Sequence, residues 1–107
     1  MTYTVDRRYA INYDEALNGI CMVLYVKKDN GQLSIANMQD RETKTDRGDP
    51  WYRGCFSNCL ISLNAGHTDK LYLMTEEAIL RLNGKSSAEI ISRLDIEAKH
   101  TIERKNA

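Results

Sequence analysis

Cys55 and Cys59 stand four residues apart, His67 follows eight residues on, and Cys21 lies upstream. Thiolate sulfur and imidazole nitrogen are donors that zinc takes tetrahedrally, so these four side chains could supply a metal centre. Their spacing is wider than a tight zinc knuckle, however, and Cys21 and Cys59 sit inside apolar runs. A free cysteine behaves there as a small hydrophobe. Cys21, Cys55, Cys59 and His67 are therefore read as structural or solvated, with no metal and no cofactor expected.

A second constellation is Asp29 followed by Glu42-Thr43-Lys44. An acidic pair with a lysine can position a metal ion and water for phosphodiester cleavage, provided the Glu and Lys are held on a rigid strand. Here they fall in a polar run with little strand character, so a solvated loop is the better reading. No Gly-rich phosphate loop, nucleophile elbow or paired-histidine helix motif occurs in the sequence. Neither His67 nor His100 has a sequence neighbour that would make it a general base. The expectation is a protein that is not an enzyme.

Recognition chemistry is better represented. Residues 39–54 form a polar interlude in which Asp40, Glu42, Asp46 and Asp49 balance Arg41, Lys44, Arg47 and Arg53. Long loops in a compact domain are often functional. This one ends in Trp51, Tyr52 and Arg53, the residue types most enriched at interface hot spots. Arg47-Gly48-Asp49 matches an adhesion tripeptide, but without an export signal it reads as coincidence, with Gly48 and Pro50 supplying turn chemistry. Whether Trp51 covers the core or meets a partner stays open at this level.

Several elements would position these groups. Asn12 to Gly19 reads as a short helical turn, with Asn12 as the cap, Glu15 completing a capping box and Gly19 as the stop. Two apolar runs, 20–27 and 33–38, flank Asp29-Asn30-Gly31, a turn sequence that tolerates positive φ and predicts a β-hairpin. The first run is apolar on both faces, as an interior strand is. Cys59–Leu63 and Leu71–Met74 read as a second strand pair. Thr75-Glu76-Glu77 opens a helix that Asn83-Gly84 ends, and Ser86-Ser87-Ala88-Glu89 is a capping box for a last helix running toward residue 104.

Residues 75–102 resemble the helix-turn-helix of LuxR/GerE-type transcription regulators. The resemblance lies in Thr75-Glu76, Leu80-Arg81-Leu82, Gly84-Lys85-Ser86, Glu89-Ile90, Arg93-Leu94, Ile96 and Thr101-Ile102. It implies that the segment after Ile96 is a recognition helix, with Lys99, His100, Arg104 and Lys105 facing DNA. The pattern itself offers a test. On one continuous helix Ile91, Leu94, Ala98 and Ile102 form an apolar stripe and Ile96 points away from it. A break near Asp95 would turn Ile96 inward.

The whole chain sets the frame. Its 107 residues suit one domain, 1–107, with 42% hydrophobic and 28% charged residues, ordinary for a globular protein. Fifteen basic groups balance fifteen acidic ones, without the basic excess usual in a nucleic-acid binder. The longest apolar run, Gly19–Val26, is far short of a membrane span. The N-terminus carries no apolar signal segment, and three cysteines make no disulfide framework, so a cytoplasmic location is expected.

The fold expected is α+β: a four-stranded, mainly antiparallel sheet of two hairpins, a short N-terminal helix and two C-terminal helices (residues 75–104) packed on one face. The leading functional reading is a small non-catalytic protein-binding protein, an inhibitor, immunity protein or accessory regulator that occludes a protein partner. Its expected contact residues are Arg47, Asp49, Trp51, Tyr52 and Arg53. The alternative is a DNA-binding regulator using residues 75–105, and the third a metal-dependent nuclease.

Overall fold

The computed structural model describes residues 2–5, 11–37 and 51–105, the side chains of 37 and 51–53 excepted. Their elements are β1 (Thr2–Val5), α1 (Tyr13–Ala16), β2 (Met22–Lys27), β3 (Leu33–Asn37), α2 (Trp51–Asn64), β4 (Thr68–Met74), α3 (Glu76–Leu82), α4 (Ser87–Glu97) and β5 (His100–Arg104). The five strands form one mixed sheet in the order β1-β5-β4-β2-β3. Only the β1–β5 pair is parallel.

Strand alternation sorts the apolar residues into two layers. Val5, Val23, Leu71, Leu73 and Ile102 face α1 and α2, where they meet Ala16, Leu17, Phe56, Cys59, Leu60 and Leu63 in the larger core. On the opposite face Leu24 and Met74 meet Ala78 and Leu82 of α3 and Leu94 of α4. The α+β class is as expected, as are the β2–β3 hairpin, the interior place of β2 and the α3–α4 pair sharing one sheet face. Asn30 builds the hairpin turn by accepting the Gln32 amide on its side-chain oxygen at 2.9 Å, with Gly31 at φ +64°.

Three expectations are corrected. Cys59–Leu63 is not a strand but the C-terminal half of α2. In a strand Cys59, Ile61 and Leu63 would share a face, yet Ile61 is 51% exposed while Phe56, Cys59, Leu60 and Leu63 are buried. That spacing is helical, and a window cut at residue 59 hides it. The polar loop accordingly gives way to α2 at Trp51.

The last helix does not run toward residue 104. It ends at Glu97, with Ala98 as its C-cap, and residues 100–104 form β5. The helical stripe through Leu94, Ala98 and Ile102 coincided with a strand pattern in which Ile102 faces the α2 core. β5 lies between β4 and β1, and the expected four-stranded sheet of two hairpins becomes a mixed five-stranded one. The missed strand, β1, is four residues long, and only its Tyr3 and Val5 pack toward the core.

Candidate functional site

The α3–α4 pair covers β4 and β2 but leaves β3 partly bare. An apolar groove of about 250 Å³ results, with Met22, Leu24, Leu33 and Ile35 as floor and Ile79, Leu82 and Ile90 as wall. Ile35 is 60% exposed. Capping fixes the wall. The Thr75 hydroxyl oxygen accepts the Ala78 amide at 3.3 Å, starting α3. Gly84 turns the chain at φ +81°. The Ser86 Oγ accepts the Glu89 amide at 3.2 Å and donates to the Glu89 carboxylate at 3.1 Å, starting α4.

Two ion pairs hold the wall in place. Arg81 Nε donates to Glu97 Oε2 at 2.7 Å between α3 and α4, and Lys70 Nζ to Asp95 Oδ1 at 2.7 Å between β4 and α4. Donating to Asp95 is the main cause raising the Lys70 pKa, and burial raises that of Tyr72, over whose ring the Lys70 ammonium lies at 5.5 Å. Among the described residues Lys85 is the one charged side chain lining the groove, and no acidic one lines it.

The other sheet face carries a polar cleft between α2 and the β2–β3 hairpin. Tyr25, Lys27, Asp29, Asn30, Ser62 and His67 line about 460 Å³ of it. It continues past Tyr25 and Ser62 into a lobe bounded by Ala36, Cys55, Asn58 and Cys59. Burial pushes the Cys59 thiol up to about 11 and raises Cys55 as well. Neither thiol is thus poised as a thiolate, the nucleophilic and metal-binding form.

The residues singled out by sequence are dispersed. Cys55 and Cys59 share one side of α2, His67 lies exposed in the turn before β4, and Cys21 precedes β2 with its amide bonded to the Met74 carbonyl at 3.0 Å. Among the described residues no three His, Cys, Asp or Glu side chains gather as a metal site would require. Asp29 lines the polar cleft, while Glu42, Thr43 and Lys44 lie outside the described residues. So do Arg47 and Asp49. Trp51, Tyr52 and Arg53 form the first turn of α2, and their side chains are not described.

The residues that the helix-turn-helix resemblance assigns to a recognition helix lie on and beside a strand instead. Lys99 Nζ donates to the Asn18 carbonyl at 3.1 Å. His100 stacks edge-on against Tyr3 with ring centroids 5.4 Å apart; burial, then the nearby Glu15 charge, raises the Tyr3 pKa. Arg104 donates from Nη1 to the Leu63 carbonyl at 3.1 Å and from Nη2 to Asp69 at 3.3 Å, so a cation caps the C-terminus of α2. The Lys105 amide donates to the Val5 carbonyl at 3.0 Å.

Sequence reasoning missed Lys85 and Ile35 as site residues. The available signal was the charge-free β3 segment, Leu33-Ser34-Ile35-Ala36-Asn37, whose larger apolar residues fall on one face. Set against family models, curated proteins and solved structures, the chain matches none of them.

Proposed function

We propose that this chain is a small non-catalytic protein-binding protein that covers a surface of its partner, as an inhibitor, immunity protein or accessory regulator does. The observation that supports this reading is the groove between β3 and the α3–α4 pair. Among the described residues its lining is almost wholly apolar and carries a single, positive charge, and its outer floor residue Ile35 is exposed. Burial of apolar surface is the main driving force for protein association. The fitting occupant is a segment of a partner protein with apolar side chains and a carboxylate placed to meet Lys85. Among the described residues Lys85 makes no ion pair, and its ammonium is the group that would meet that carboxylate.

The test is capture from the native host followed by reconstitution with the purified partner. Lys85→Arg should retain the complex, whereas Lys85→Glu should weaken it roughly tenfold, about 1.4 kcal/mol. The partner's own activity should fall as the complex forms. Capture indifferent to charge reversal, or a captured species that is nucleic acid, would sink the reading. The aromatic pair Trp51 and Tyr52 is the second place to substitute, since residues of these types anchor protein contacts.

A further inference from the structure

β3 is an edge strand of the described sheet, and its hydrogen-bonding pattern is fixed by its inner neighbour. The Lys27 amide donates to the Gln32 carbonyl at 2.9 Å, and the register Val26↔Leu33, Tyr25↔Ser34, Leu24↔Ile35 continues without a shift. Hydrogen-bonded pairs alternate along an antiparallel ladder. Gln32, Ser34 and Ala36 therefore turn their backbone groups toward β2, and Leu33 and Ile35 turn theirs outward. No described strand takes up those groups on the outer side.

Natural edges are commonly blunted by a proline, a lysine, an inward-pointing charge or a bulge. β3 has none of these. Residues 33–37 contain no charge and no proline, and the β2–β3 register is regular. The opposite edge differs. On the sheet face that carries the groove, β1 presents Thr2 and Thr4, not apolar side chains, and the Thr2 hydroxyl is already bonded to that of Thr101 at 3.0 Å.

We propose that two copies of this chain join antiparallel through β3, about a two-fold axis that passes by Ile35. Pairing the whole strand with its copy sets Ile35 against Ile35 and Leu33 against Asn37, so that the outward backbone groups meet their equivalents. An isologous contact must be self-complementary, and a charge-free strand satisfies that condition, since like charges would otherwise face each other at the axis. The axis stands perpendicular to the sheet, so both copies keep α3 and α4 on the same side. The two Ile35 side chains then meet on that side. The two grooves become one apolar floor, four strands wide, made of β2, β3 and their copies, with a Lys85 on each side.

The experiment is sedimentation equilibrium of the full chain across a concentration series, combined with hydrogen exchange. The expected mass is twice the 12.3 kDa of one chain. The Leu33 and Ile35 amides should exchange slowly in the dimer and rapidly once dilution separates it. Ile35→Pro removes an outward N–H and no bond to β2, and proline is tolerated at such edge positions; it should sediment as a folded monomer. Ile35→Lys, which places two cations at the axis, should do the same, while Lys85→Glu should remain dimeric. That last variant separates this inference from the partner-binding reading, because it weakens partner capture alone. A monomeric wild type would overturn the proposal, including one whose β3 amides become protected only with a partner protein. So would a dimer that survives both folded Ile35 variants, or an assembly that grows beyond two copies.

Discussion

Leu94 and Ile96 lie two residues apart on α4, and the structure assigns them opposite roles. Leu94 is fully buried against Leu24 and Met74, whereas Ile96 is 84% exposed. Leu94→Ala removes buried carbon and leaves a cavity beneath the only fully buried side chain of α4. Such truncations cost about 2–5 kcal/mol, with a central value of about 3 kcal/mol. A chain of this length has a total stability of about 5–15 kcal/mol. With an unfolding entropy of about 2.1 cal/mol/K per residue, the loss lowers Tm by roughly 13 °C.

Ile96→Ala removes exposed carbon and replaces a β-branched residue with the best helix former, so its effect should stay within about 0.5 kcal/mol, or roughly 2 °C. Scanning calorimetry of the two variants beside the wild type measures the contrast directly. Equal destabilisation by both would refute the assigned face of α4. It would mean that Ile96 turns inward, as a break in the helix near Asp95 would require.

Alkaline titration offers a second check. The folded Cys59 thiol keeps its proton up to about pH 11 while the unfolded one releases it near 9, so its contribution is intact below pH 9 and is lost as pH climbs to 11. The loss is on the order of 2–3 kcal/mol; urea unfolding at pH 8 and pH 10.5 should show a smaller drop in Cys59→Ala than in the wild type, and an unchanged drop would contradict the burial. Gly19 sits at φ +76°, next to the Asn18 carbonyl that Lys99 engages. Gly19→Ala should therefore cost about 1–2 kcal/mol in left-handed strain, read as a shift of the urea midpoint, and a neutral result would show that this turn is not held in that conformation.

The elements that sequence revealed were those with local, redundant signals. The Asn12, Thr75 and Ser86 caps each bond the backbone amide three residues on, and Asp29-Asn30-Gly31 marked its hairpin because only certain residues accept that backbone. What failed were short segments whose identity depends on distant partners. Cys59–Leu63 satisfies both a strand and a helix template over five residues, and only Phe56 and the exposure of Ile61 decide between them. Ile102 continued the helical stripe of Ile91, Leu94 and Ala98 by coincidence of spacing. The groove was illegible for a related reason: its floor and wall come from β2–β3 and from α3–α4, far apart in the chain, and no motif announces that α3 and α4 stop short of β3. Lys99 and Arg104 looked like free cations in sequence, yet each is directed at a backbone carbonyl of a distant segment.

The parallel seam between β1 and β5 imposes an order on synthesis. Thr2 pairs with Thr101, so β1 leaves the ribosome with no strand to join. At about 5–20 residues per second, β5 follows some 5–20 s later. Meanwhile β2, β3, α2 and β4 can assemble from nearer neighbours, and closing so long a loop is entropically the costliest contact in the sheet. β5 must then take its place against β4 before β1 has a surface to dock on. A lesion at Thr101 or Ile102 would therefore release two strands from the sheet, and the strand made before the other four would be the last of them to find its place.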